Sequence, residues 1–207
     1  MTRRGACGFT LLEVLASLAL LALLMVGVYS GIRTATVSVR AGTALIDRSD
    51  QIRSAQRVLR RELAQILSQQ IGSTAEGVPV VFVGMPREMR YVAPLPGYLG
   101  RLGPQLQRLQ LVDDGAGGLR LELSLALLPP DGRGPQPLGE PQVLLDHILE
   151  GNFSYNGVDG DNEVVGWSQT WADGRRVPQL VRVALHVGGT ESWPLLQVPL
   201  RTEGVQR

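Results

Sequence analysis

From Val14 to Ile32 the chain runs for nineteen residues without a charge or a proline. No other stretch limits so strongly what this sequence can fold into. About 20 apolar residues are needed to cross the hydrocarbon core of a bilayer, so the run is just long enough to span one. Arg3 and Arg4 precede it, and the positive-inside rule puts that end in the cytoplasm and everything after Ile32 on the far side. A secretory signal peptide has a core of 7–15 apolar residues followed by a small-residue cleavage site. Here the run is longer and no such site follows it, so the segment reads as retained. Glu13 stands at its very start. A lone carboxylate in a membrane segment costs a few kcal/mol, so Glu13 needs a cationic partner or must snorkel to the interface.

Composition bounds what the remainder can be. A length of 207 residues allows one membrane segment and one globular domain. Apolar residues make up 44% and charged residues 19% of the chain, which describes a folded protein. The formal net charge of +1 gives no reason to expect a nucleic-acid partner. Every basic residue is an arginine, a bias we ascribe to nucleotide composition. The one cysteine, Cys7, excludes a disulfide framework within the chain, and two histidines, His147 and His186, are too few for most zinc sites.

Past Ile32, the residues Leu45, Ile52, Ala55, Leu59, Leu63 and Ile66 recur at helical spacing, while Arg53, Arg57, Arg60, Arg61 and Glu62 are assigned to the opposite face. This pattern predicts an amphipathic helix over 33–71, ending near Gly72 and Ser73. Glycine- and proline-punctuated runs follow. "VPVVFVG" at 78–84 reads as one strand, and "LQRLQLVDD" and "LRLELSLALL" flank Gly115–Gly118 as a hairpin. The stretch 128–141 reads as a surface loop, and "NFSYNG", "VVGWSQTW", "PQLVRVALHV" and "WPLLQVPLR" as four more strands. One helix and about eight strands make an α+β fold with a mainly antiparallel sheet.

Several residues invite a chemical reading. Asp159, Asp161 and Glu163 alternate in "DGDNE" and are candidate calcium ligands, but the loop lacks the EF-hand pattern and reads more simply as a solvated turn. Asp146 and His147 adjoin, with Ser154 further on, yet no nucleophile or zinc motif accompanies them. Trp167, Trp171 and Trp193 read as core or rim residues. The sequence therefore offers no catalytic residue and no cofactor site, and the chain is expected not to be an enzyme.

The hexapeptide Gly8-Phe9-Thr10-Leu11-Leu12-Glu13, after its short leader with Arg3 and Arg4, resembles the recognition site of class III prepilins. That resemblance implies cleavage between Gly8 and Phe9 by a membrane-embedded prepilin peptidase, and methylation of the new amino group on Phe9. It also implies that Glu13 meets the positively charged N-terminal amine of a subunit already in a filament. The run from Leu144 to Val187 is similar to the C-terminal region of J-type minor pseudopilins of type II secretion systems. Tyr155, Trp167, Trp171, Pro178 and Val181 occupy that family's positions, with Val177 where leucine is frequent. "VLRRELAQ" at 58–65 resembles its helix.

The resemblance implies a pilin-like fold with residues 1–8 as leader, 9–32 as transmembrane helix, 33–71 as its periplasmic continuation and 72–207 as a β-rich periplasmic domain. It further implies an inner-membrane protein at the tip of a pseudopilus, priming its assembly for export of folded proteins. The implied partners are the I-, K- and H-type minor pseudopilins, the major pseudopilin, the peptidase/methyltransferase, the secretion platform and membrane lipid. A minor pilin of a type IV pilus or DNA-uptake system shares the N-terminal logic. A signal-anchored periplasmic enzyme or binding domain is the reading from another class.

Overall fold

The computed structural model describes residues 11–95, 103–129, 134–159, 162–189 and 192–200, with side chains throughout except at 34–42, 44 and 45. The chain divides into two compact units, Met1–Asp47 and Arg48–Arg207. Their boundary falls inside the first helix, α1 (Leu11–Ala64). The last turns of α1 thus belong with the β-rich part.

In the second unit Ile52, Ala55, Leu59, Leu63 and Ile66 are all buried, as their spacing predicts. Full burial of a leucine or isoleucine contributes roughly 1.5–3 kcal/mol, so this stripe is a principal anchor of the fold. Glu62, assigned from the sequence to the opposite face, is instead 4% exposed. It lies seven residues after Ala55 and three after Leu59, which places it on the buried side of the helix.

The helix also ends earlier than predicted, at Ala64. The amides of Gln65 and Ile66 bond back to the carbonyls of Glu62 and Leu63 at 3.2 and 3.3 Å, tightening the last turn. Leu67 then donates its N–H to the carbonyl of Val92 at 2.8 Å. A tertiary hydrogen bond has replaced the next helical one. Gly72–Ser73, expected to cap the helix, form strand β1 and pair with β2 (Pro79–Val80).

Among the described residues the main sheet is antiparallel and has nine strands. They are β3 (Val83–Gly84), β4 (Glu88–Pro94), β5 (Pro104–Asp113), β6 (Leu119–Leu127), β7 (Gln136–Pro137), β8 (Gln142–Val158), β9 (Val164–Ser168), β10 (Leu180–Val187) and β11 (Leu196–Pro199). The order across the sheet is β11-β10-β8-β6-β5-β4-β3, with β7 beside β6 and β9 beside β8. This confirms the α+β, mainly antiparallel class.

The hairpin at Gly115–Gly118 joins β5 to β6 as the sequence predicts. Gly115 and Gly117 take φ values of +80° and +90°, which glycine adopts without a steric penalty. Asp114 closes the turn by accepting the amides of Ala116 at 2.7 Å and Gly118 at 2.9 Å, and these bonds lower its carboxyl pKa.

Three expectations needed revision. "VPVVFVG" is split between β2 and β3, because Val81 and Phe82 both point their amides at the carbonyl of Gly174, at 2.7 and 3.2 Å. "NFSYNG" is the second half of the 17-residue β8, whose first half contributes "LLDHILE". Strand β4 carries no clean alternation and gave no signal, yet Met89, Tyr91, Val92 and Ala93 are fully buried.

Within the core Phe82 packs edge-on to Tyr155, at 5.6 Å between ring centroids, and stacks on Tyr91 at 6.5 Å. Gly84 passes directly beneath. A Cβ added there would lie 2.7 Å from Tyr155 and 2.9 Å from Trp171. Gly84→Ala is therefore expected to destabilise the protein by roughly 1–3 kcal/mol through overpacking, about 2–10 °C in melting temperature. Thermal unfolding followed by circular dichroism checks this, and an unchanged midpoint would contradict the close approach.

Candidate assembly site

Two regions could carry an assembly function: the exposed apolar start of α1, and the junction where its last turns rest on the sheet. In the first, Leu11–Arg33 has a mean hydropathy of 2.5 and is exposed throughout. Among the described residues nothing covers it, and it is long and apolar enough to cross a membrane. Glu13 lies on this surface in the first described turn, its backbone carbonyl accepting the hydroxyl of Ser17 at 2.7 Å. Gly8 and Phe9 lie outside the described residues.

At the junction, polar groups fix how helix and sheet meet. Arg48 Nη1 donates to Asp146 Oδ1 at 2.8 Å and to Gln51 Oε1 at 2.7 Å, while Nη2 donates to the carbonyl of Asp146 at 2.9 Å. Gln51 Nε2 reaches the same carboxylate oxygen at 3.2 Å, and His147 Nδ1 lies 3.0 Å from it.

The clasp sits on an irregularity in β8. His147 has a φ of +49°, an uncommon and strained conformation for a residue with a side chain. At this point β8 leaves β6 and begins to pair with β10, and Gly188 N–H takes the His147 carbonyl at 2.8 Å. Asp146 and His147 are thus brought together, but around an arginine and a glutamine of the helix. Ser154 lies further along β8, opposite Arg182.

Two residues before the helix ends, the buried Glu62 carboxylate accepts Arg61 Nε at 3.0 Å and Gln107 Nε2 at 3.1 Å. Burial, with the Glu62 charge adding to it, pushes the Tyr91 phenol pKa far up. A buried carboxylate is tolerated only when such partners replace water. Neither Gln107 nor the Arg48–Asp146 clasp was visible in the sequence, because both depend on strands paired far along the chain. For Glu62 the signal was present in its spacing from Ala55 and Leu59.

The other sequence candidates have structural roles. Asp159 Oδ1 accepts the Glu163 amide at 2.9 Å, and Arg176 Nη1 donates to the Asp159 carbonyl at 3.0 Å and to Asn162 Oδ1 at 3.3 Å. A guanidinium and a backbone amide thus hold this turn together. Asp161 lies outside the described residues, and among those described no group of three His, Cys, Asp or Glu could hold a metal ion.

Tyr155 and Trp171 are core residues. The Tyr155 hydroxyl donates to the Met85 carbonyl at 2.9 Å, and Trp171 Nε1 to the Arg176 carbonyl at 2.8 Å. Trp193 is buried too, its Nε1 bonded to Val183. Trp167 is a rim residue, 39% exposed, with the Arg182 guanidinium 3.7 Å from a ring centroid.

Comparison with known proteins agrees with this arrangement at both ends. The prokaryotic N-terminal methylation motif matches residues 3–29. The type II secretion system protein J of Xanthomonas campestris pv. campestris is 34% identical over 205 residues, covering 98% of this chain and 96% of that protein. The chain belongs to the type II secretion system protein J family. A chain in the crystal structure of the GspK–GspI–GspJ complex from the type 2 secretion system of enterotoxigenic Escherichia coli has the same fold. It superposes with a TM-score of 0.52 at 17% identity, over 76% of this chain and 99% of that one. This member of the protein J family is membrane-anchored, and among the described residues Leu11–Arg33 is the one helical segment long and apolar enough to serve as the anchor.

The clasp has a pH signature. The Asp146 carboxyl is held below its ordinary pKa of 3.8, first by the His147 hydrogen bond and then by Gln51 and Arg48, while partial burial opposes them. A lowered folded pKa means the stabilisation is complete above the unfolded value and is lost as pH falls through the folded one. The Asp146 side chain is 44% exposed, so the pair is worth about 1 kcal/mol or less. Asp146→Asn is expected to melt below wild type at pH 7, and the gap to close below pH 3.8. Melting curves of both proteins across that range check it.

Proposed function

We propose that this protein is a minor pseudopilin of a type II secretion system. It would help to form the pseudopilus tip and prime pseudopilus assembly for export of folded proteins across the outer membrane. The observation that carries this reading is the end-to-end match to a type II secretion system protein J. A match to the N-terminal motif alone would have served a type IV pilus subunit equally well. The role is that of a structural subunit.

The N-terminus supplies the assembly chemistry. The prepilin peptidase cuts between Gly8 and Phe9 and methylates the new amine of Phe9, releasing residues 1–8. Residues 9–32 then anchor the mature chain in the inner membrane, with the remainder in the periplasm. In the filament the Glu13 carboxylate pairs with a neighbour's N-terminal amine. Two unit charges 4 Å apart attract by about 4 kcal/mol at an effective dielectric constant of 20. An incoming subunit gains this only at the register that brings the charges together. The relevant neighbours are the I- and K-type minor pseudopilins, a reading supported by the composition of the complex whose chain shares this fold, together with the H-type and the major pseudopilin.

A deletion strain tests the reading. Wild type is expected to restore exoprotein to the culture supernatant, and Glu13→Ala to restore at least tenfold less while remaining processed, since 1.4 kcal/mol already corresponds to tenfold. Mass spectrometry of the membrane-extracted chain is expected to show Phe9 methylated at the N-terminus, and Gly8→Leu to leave the leader attached. Normal secretion in the deletion strain, with no sibling able to compensate, would remove the proposed function.

A further inference from the structure

Most arginines of the second unit are occupied within the chain. Arg48 holds Asp146, Arg108 holds Glu88, Arg120 holds Glu122, and Arg182 lies over Trp167. Three arginines of α1 differ. Arg53, Arg57 and Arg60 are exposed, and none makes an ion pair or side-chain hydrogen bond among the described residues. Their spacings of four and three residues put them in one row on successive turns. The row lies opposite the buried Ala55 and Glu62. Asp50, also exposed, stands at its N-terminal end.

General explanations fall short of this pattern. Basic residues near a helix C-terminus complement the macrodipole, but the effect fades within the last turn. It accounts for Arg60 and Arg61, not for Arg57 or Arg53, which lie about two and three turns before Ala64. A solvated helix face commonly interleaves opposite charges at spacings of three and four; here three like charges follow one another uncompensated. An anionic lipid surface would suit a basic helix that also inserts apolar side chains. No large apolar residue is exposed between Ile46 and Val78.

We infer that Arg53, Arg57 and Arg60 form a docking row for the helix of a sibling minor pseudopilin that carries aspartate or glutamate at the same three-and-four spacing. This rests on the function proposed above. A second helix running alongside matches the row because its own side chains repeat at the same interval. Guanidinium groups suit the task, since each can grip a carboxylate with two parallel hydrogen bonds and is easily desolvated. Asp50 makes the row directional: acid first, then three bases. A partner helix slid one turn towards Asp50 sets an acid against an acid, and one slid the other way leaves an arginine unpaired, so the row selects register as well as partner.

The test uses the full-length chain, co-expressed with the full-length I-type minor pseudopilin of the same secretion system and purified together in detergent. Arg53→Glu/Arg57→Glu/Arg60→Glu is expected to retain at least tenfold less of the sibling than wild type. Its melting temperature should fall by no more than a few degrees, because none of the three side chains makes an ion pair or side-chain hydrogen bond among the described residues and only Arg60 lies in the last turns, where the helix dipole favours a base. Raising the salt to 0.5 M is expected to weaken the wild-type complex and narrow that difference. Reversing the acidic row of the sibling should restore the complex. Equal retention of the sibling by wild type and triple variant would overturn the docking row alone. So would loss of the triple variant's binding to phosphatidylglycerol vesicles with sibling retention unchanged. A wild-type chain that neither retains the sibling nor supports secretion would overturn the functional reading and the row with it.

Discussion

One helix in this protein has to be stable in two different solvents, and the rest of the fold follows from that demand. Over Leu11–Arg33 α1 is apolar on every side, as hydrocarbon requires. From Arg48 to Ala64 it is apolar along one stripe only and needs a cover for it. The nine-stranded sheet supplies that cover, and its inner face is built from residues such as Tyr91, Leu109, Leu121 and Leu145, all fully buried. A helix of this kind cannot detach from the sheet without exposing its stripe, so whatever happens to the N-terminal segment happens to a helix fixed to a globular body.

Apolar packing makes that attachment strong but does not make it unique, because leucines and isoleucines tolerate small rotations and slides. The polar contacts narrow the choice. Glu62 gains a donor from the sheet only where Gln107 of β5 lies beneath it, and Arg48 meets Asp146 only where β8 bulges at His147. The two contacts lie fourteen residues apart on the helix and engage different strands, so any slide long enough to break one breaks the other. An unsatisfied buried carboxylate costs more than its hydrogen bonds return when made. The polar contacts therefore act mainly by penalising wrong arrangements.

A subunit that works by association needs its recognition chemistry outside this fixed body. The exposed surfaces fit that division: among the described residues, an uncovered apolar segment with a carboxylate at its start, and a row of arginines without an ion pair on the exposed side of the helix. The residues that looked most like catalytic or metal-binding candidates, Asp146, His147, Asp159 and Glu163, turn out to close a clasp and a turn. Acid and base side chains recur in such places because strands that change partners leave backbone groups needing short-range hydrogen bonds.

Much of this was legible along the chain. The apolar segment, the N-terminal methylation motif, the buried stripe and the Gly115–Gly118 hairpin are written in local composition and spacing, because each depends on a few consecutive residues. The end of α1, the division of residues 78–84 between two strands, and the continuity of β8 through His147 were not. Each was decided by a backbone group bonding to a distant partner: Leu67 to Val92, Val81 and Phe82 to Gly174, Gly188 to His147. Strand β4 escaped notice because burial on both faces erased its alternation. The sequence by itself determined which solvent each segment meets, since hydrophobicity is a property of the residue. Only the tertiary structure decided where elements stop and which charges are held, since a hydrogen bond belongs to two residues whose meeting no single segment specifies.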